Sequence, residues 1–375
     1  MSSDRGGPSR VIGAVLGGRY RLLRLIGAGG LATVYEAEGL QGQGLRAIKL
    51  LQPEFQSRRN VVERFYAEAR ACHALRHPNI AETLEFDYAE DGSPYIVMEL
   101  LVGLSLEDYL RSNPPIAPEQ AARLVLDALA ALSLAHSSGV IHRDIKPPNL
   151  FLVAGANGSK VLKVLDFGIA KVMDVAGGLG RKTRTGAVLG TPGYMSAEQL
   201  KDAKSCDARS DLWSLGVVFY EMLTHHHPYG DDDQMARAVA ILRDPARPIV
   251  DLAPELAGWD AFFQQALARE PAHRFQSAEA MAQRIRELVA QAAATAYSVK
   301  PAQPRGGATL SSQNALAFAA SAGGPHMVHR GGYTPHVGVV SAASFEPPSV
   351  VWWAVLVIAL ACFASGLLLG YVVAS

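Results

Sequence analysis

Apolar and polar positions follow two different periods along this chain. Near the start, "RYRLLRLIG" and "LATVYEAE" read as strands divided by a glycine run, and "LRAIKLL" follows as another. "VVERFYAEARACHAL" then places Val62, Phe65, Ala69, Cys72 and Leu75 near helical spacing, and "HPNI" ends that helix. "AETLEFDYAE" and "SPYIVMELL" return to strand character around an Asp91-Gly92 turn. From Pro118 onward helices dominate. "PEQAARLVLDALAALSLAHSSG" has proline suited to a first turn and glycine beyond its end. "SDLWSLGVVFYEMLTH" is apolar almost all round, which predicts a buried helix. The pattern is a small strand-rich lobe followed by a larger helical one, an α+β arrangement.

Composition changes at both ends. Residues 1–18 read as a flexible leader, 19–290 as the globular part, and 291–349 as an Ala/Gly/Ser/Pro-rich linker with too few large aliphatics to offset chain entropy. Val350 to Val373 carries no charge over about 24 residues, more than the roughly 20 that cross a bilayer as a helix. Trp352, Trp353 and Tyr371 flank it as interfacial rings do. The expectation is a transmembrane helix, with Gly366 and Gly370 as a close-packing pair for a homodimer. The formal net charge is zero and no basic block stands out, so nucleic acid is not an expected partner. Three scattered cysteines form neither a disulfide framework nor a zinc spacing, which fits a reducing compartment.

The glycine run raises the question of chemistry. Gly27, Ala28, Gly29, Gly30 and Ala32 match the dinucleotide pattern G-x-G-x-x-[G/A]. In a dinucleotide fold, however, a helix follows, with an acid about 20 positions on. Here Thr33-Val34-Tyr35 favour a strand, and the charged residue at that distance is Lys49. A glycine-rich hairpin followed by a strand lysine is a different phosphate-binding device.

Rarer strings follow in one order: "VIHRDIKPPNLF", "VLDFGIAK", "GTPGYMSAEQ" and "SDLWSLG". Over residues 19–290 the chain resembles the eukaryotic-like Ser/Thr protein kinases of bacteria. The resemblance implies a bilobal kinase fold that transfers the γ-phosphate of ATP to Ser/Thr hydroxyls of protein substrates, with Mg²⁺ or, alternatively, Mn²⁺. It implies that Lys49 binds the α/β-phosphates, held by Glu68; that Asp166 and Asn149 are metal ligands; that Asp144 accepts the hydroxyl proton; and that Lys146 steadies the γ-phosphate. It further implies an adenine pocket of Ile26, Val34, Ala47 and Phe151, with Met98 as gatekeeper and Glu99 and Leu101 as hinge residues. Glu198 is expected to pair with Arg274, bracing the substrate-binding segment, and Asp211 to accept hydrogen bonds from the catalytic-loop backbone. Arg143 is expected to pair with a phosphorylated residue, Thr183 or Thr185, in the segment after Asp166, and Thr191 to contact substrate.

Two departures from the family pattern are visible. Ala32 replaces a glycine, which predicts a stiffer or slightly displaced loop tip with ATP binding kept. Ala197 replaces a proline before Glu198, which predicts a looser turn. The run "THHHPYG" reads as a loop after the buried helix, since three adjacent histidines cannot all face one ion from a regular element. The kinase part is expected to face the cytoplasm, where ATP is, from a single-pass membrane anchor. The competing reading is a membrane-tethered pseudokinase, a scaffold or nucleotide sensor. Its weakness is that Lys49, Glu68, Asp144, Asn149 and Asp166 are all present.

Overall fold

The structure, a computed structural model, describes residues 12–167, 192–202, 206–230 and 233–298. Thr183, Thr185, Thr191, residues 1–11 of the leader and the span 350–373 lie outside these residues. Among the described residues no helix is long and apolar enough to cross a membrane.

The first lobe is built on strands β1 (Val15–Leu16), β2 (Tyr20–Ala28), β3 (Ala32–Gly39) and β4 (Gly44–Leu51). Helices α1 (Pro53–Gln56) and α2 (Arg59–Ala74) follow, then β5 (Thr83–Tyr88) and β6 (Pro94–Glu99). The six strands form one antiparallel sheet in the order β1-β2-β3-β4-β6-β5. Alternate residues of a strand face opposite sides. Tyr35, Ala37, Ile48, Tyr95 and Val97 therefore pack on one face, with Leu16, Tyr20 and Leu22. Ala32, Leu51 and Ile96 pack on the other, against Phe65 and Ala69 of α2.

The second lobe contains β7 (Gly103–Ser105), α3 (Leu106–Ser112), α4 (Pro118–Ser137), β8 (Leu150–Ala154) and β9 (Lys160–Val164). It continues with α5 (Ala197–Lys201), α6 (Ala208–Thr224), α7 (Gln234–Arg243), α8 (Asp260–Ala266) and α9 (Ala278–Ser298). Its core is one cluster centred on α4 and α6. Helix α6 is buried on all sides, from Leu212 through Leu223 except Glu221. The three-stranded sheet β7-β8-β9 packs against α4 through β9.

Three sequence expectations change. Helix α9 runs past Ala290 to Ser298, because "AQAAATA" is rich in the best helix former and nothing breaks it. Ala32 is not at the loop tip. It opens β3, pairs with Leu51 and is buried in the core beside Phe65, so its methyl packs rather than stiffens the loop. The turn at Ala197 is not loosened. Ala197 is buried, and Gln199 Oε1 accepts from both the Ser196 N–H (3.0 Å) and Oγ (3.2 Å), capping α5.

Candidate active site

Strand register builds the roof of a cleft between the lobes. Val34 pairs with Lys49, and Lys49 with Ile96; Glu36 pairs with Ala47, and Ala47 with Met98. These side chains share the face that looks toward the second lobe. The cleft beneath them is a cavity of about 480 Å³, within the range that holds nucleotide-sized ligands. Ile26, Gly27, Val34, Ala47, Met98, Leu101 and Phe151 line it, with Lys49, Glu68 and Asp166 at the polar end. Ala28, Gly29 and Gly30 are not among its walls. They form the hairpin tip, where the Gly29 N–H donates to Ala32 O (3.0 Å) and Gln52 Nε2 donates to Gly29 O (2.7 Å).

Lys49 Nζ lies 2.9 Å from both Glu68 Oε1 of α2 and Asp166 Oδ1. Burial by itself lowers the pKa of this ammonium, but the charges and hydrogen bonds of Asp166 and Glu68 outweigh it, and the net shift is upward. Lys49 thus stays a cation at any working pH. Helix α2 supplies Glu68 because its position lies one turn from Phe65 and Cys72, all buried on the same face.

The segment "HRDIKPPN" is held from below. Asp211, 1% exposed, accepts from the His142 N–H (2.8 Å), the Arg143 N–H (2.7 Å) and His136 Nε2 (2.8 Å). A buried carboxylate needs such donors. They also hold Arg143 in the left-handed region (φ 66°), a conformation costly for a long side chain. Asp166 is likewise left-handed (φ 40°). The ring of Phe167 packs 4.8 Å from that of His142, and His142 Nε2–H donates to Leu165 O (2.8 Å). Two residues after His142, Asp144 Oδ2 receives Asn149 Nδ2 (2.8 Å) and Lys146 Nζ (3.2 Å). The Leu165 N–H donates to Asn149 O (2.9 Å), which brings Asn149 beside Asp166. With its amide nitrogen turned to Asp144, Asn149 keeps its carbonyl oxygen for a cation. An amide oxygen plus a carboxylate is a hard donor set that suits Mg²⁺.

Arg274 is fully buried and makes a two-pronged pair with Glu198, at 2.7 and 2.8 Å. Burial raises the Glu198 carboxyl, but hydrogen bonds from Arg274 and Ser210 overcome this and hold it down to about 2. Gln199, next along α5, donates to Arg143 O (3.1 Å) and so ties α5 to the "HRDIKPPN" segment.

Sequence reasoning missed several participants. Lys163 of β9 pairs with Glu99 at 2.6 Å, and Glu99 Oε1 also accepts from the Glu82 N–H. The Glu99 N–H itself goes to Glu82 O (3.0 Å), and Glu99 lines the cavity. Cys72 also lines the cavity, and burial pushes its thiol up to about 12, so it is an inert wall. A lysine three residues ahead of Asp166, within the apolar strand that precedes it, was the available signal for Lys163. Gln199 had the capping spacing from Ser196.

The fold is two-lobed, and the cleft between its lobes brings Lys49, Glu68 and Asp166 together. The protein kinase domain family matches residues 20–286, and the chain belongs to that family. Among its relatives are the serine/threonine-protein kinase pkn3 of Myxococcus xanthus, 37% identical over 72% of this chain and 50% of that protein. PknB of Mycolicibacterium smegmatis is 38% identical over 71% of this chain and 42% of its own length. The chain thus spans half or less of these relatives. The crystal structure of the Mycobacterium tuberculosis PknI kinase domain superposes with a TM-score of 0.57 at 24% identity, covering 74% of this chain and 98% of that one, which shows the shared fold.

Proposed function

We propose that this chain is an active Ser/Thr protein kinase that uses ATP and Mg²⁺. The observation that carries this is the joint presence of the Glu68–Lys49–Asp166 triad and the Asp144–Asn149–Lys146 cluster, joined where Asn149 lies beside Asp166. The apolar walls Ile26, Val34, Ala47, Met98 and Phe151 take the base. The Glu99 carbonyl and the Leu101 backbone present it with hydrogen-bonding groups. Lys49 neutralises the α/β-phosphates. Asp166 and Asn149 would hold Mg²⁺, which supplies charge neutralisation on the phosphate oxygens. Asp144 accepts the proton of the substrate hydroxyl as its oxygen attacks the γ-phosphorus, the bond to the β-phosphate oxygen breaks, and ADP leaves. Lys146 follows the charge of the transferred group. Wild-type protein incubated with γ-labelled ATP and Mg²⁺ labels Ser or Thr residues of protein; no labelling would favour the pseudokinase reading.

Regulation follows from Arg143. Its buried Nε has no hydrogen-bond partner among the described residues. A phosphate on Thr183 or Thr185 would meet that guanidinium with strong charge-assisted bonds and order the segment after Asp166. Mass spectrometry of the active protein is expected to find phosphate on at least one of the two threonines. Both found unmodified in fully active protein would end this idea.

The same reading places 350–373 across the membrane, with the kinase part in the cytoplasm, supported by the charge-free span and its flanking rings. Gly366 and Gly370 would bring two copies together and favour phosphorylation of one by the other. Full-length protein should stay in carbonate-washed membranes and a chain ending at residue 349 should not. Within membranes, Gly366→Leu/Gly370→Leu should lower autophosphorylation per molecule; equal rates would remove the dimer from the proposal.

A further inference from the structure

The run "THHHPYG" takes no part in the chemistry above, yet its third histidine is built into the fold. His225 ends α6 in the left-handed region (φ 59°) and turns the chain back. His227 is then buried, 3% exposed, and faces the segment that precedes α5. Its Nε2–H donates to Gly193 O (2.8 Å), and its Nδ1 accepts from the Tyr229 N–H (3.2 Å). These two contacts select the neutral ring with its proton on Nε2. The ring of Tyr194 stands edge-on to that of His227, with centroids 5.5 Å apart.

The other side of Gly193 is held as well. Its N–H donates to Gln234 Oε1 (3.1 Å) from the first turn of α7. A Cβ at position 193 would come within 2.9 Å of that oxygen and 3.2 Å of Arg237 Cδ, so a larger residue would push these two side chains aside. Tyr194 is fixed by α6, donating its hydroxyl to Glu221 Oε2 (2.7 Å) and accepting Ser214 Oγ at its carbonyl (2.8 Å). The turn Pro192–Tyr194 is thus shaped by side chains of α6, α7 and the connection between them.

This turn lies beside the reacting residues. It runs into α5, whose Gln199 is bonded to the carbonyl of Arg143, the residue before Asp144. A polypeptide presenting a hydroxyl to Asp144 extends about 3.3–3.6 Å per residue to either side of it. We propose that His227 is a positioning residue for the peptide subsite: through the Gly193 carbonyl it holds Pro192–Tyr194 in the shape that receives the residues flanking the acceptor Ser or Thr. This role rests on the kinase reading.

The test compares full-length wild type, His227→Leu and His227→Gln on the peptide that wild type prefers in a randomised Ser/Thr peptide library. His227→Leu should raise the peptide KM about tenfold, the effect of one buried hydrogen bond, with the KM for ATP and kcat unchanged. His227→Gln should restore most of it, since its amide nitrogen can donate where Nε2 did. Hydrogen exchange at Gly193 and Tyr194 should speed up in His227→Leu and recover in His227→Gln. An unchanged peptide KM, or equal changes in both KM values with no rescue by glutamine, would overturn the positioning role. Wild type that labels no peptide would overturn the kinase reading, and this role with it.

Discussion

Asp144→Asn is expected to leave a folded protein that binds ATP and transfers phosphate about 10²–10⁴-fold more slowly, the usual worth of a positioned proton acceptor. Asp144 sits where its Oδ2 is shared by Asn149 Nδ2 and Lys146 Nζ, so its carboxylate has a fixed direction. Asparagine keeps the volume and one oxygen but removes the charge and the basic site. The backbone carbonyl of Asp144 still accepts from Asn149 Nδ2 at 2.8 Å, so the loop keeps a tie that does not depend on the side chain. Lys49, Glu68 and Asp166 lie on other segments, which is why nucleotide affinity should survive. Initial rates with labelled ATP, nucleotide titration and thermal melting of both proteins decide the matter. A variant that retains more than about a tenth of the wild-type rate would remove Asp144 from the proton transfer.

Breaking the Glu198–Arg274 pair should produce the largest loss of stability. Glu198→Ala leaves a fully buried guanidinium facing apolar and backbone groups, and a cost of about 3–5 kcal/mol is expected. Arg274 keeps the carbonyls of Ala268 and Arg269 as partners, which places the loss at the lower end of that range. The pair also imposes a pH dependence. The folded carboxyl titrates at about 2, below its ordinary value of 4.5. Its contribution is complete above about pH 4.5 and is lost as pH falls toward 2, because the unfolded chain takes up the proton first. Denaturant melts of wild type and Glu198→Ala between pH 6 and pH 2.5 should therefore converge on acidification. A gap that stays constant over that interval would mean the pair contributes through packing alone.

The lobes, the buried α6 and the ordered motifs were legible because each rests on local signals: a hydrophobic period, a turn pair, a rare string. The Glu68–Lys49 and Glu198–Arg274 pairings came from the family resemblance, and the structure brings both pairs together. Ala32 and Ala197 were misjudged in their surroundings. A methyl next to a glycine run looks like a loop feature, whereas the register of β3 against β4 buries it. Lys163, Gln199 and His227 were not foreseen. Each acts on a carbonyl or carboxylate far away in sequence, and only the packed chain shows which one. Nothing in "THHH" distinguishes the third histidine from the first.

The register of β3, β4 and β6 carries a further consequence. Lys49 reaches Glu68 and Asp166 only because it shares a sheet face with Val34 and Ile96. A slip of β4 by a single residue would present Ile48 to the cleft and send the ammonium to the opposite side, into the cluster of Tyr35, Tyr95 and Val97. Misfolding and inactivation are in that sense one event in this lobe. The turn between β3 and β4, Leu40 to Gln43, sets the phase of the cleft as surely as any residue that lines it.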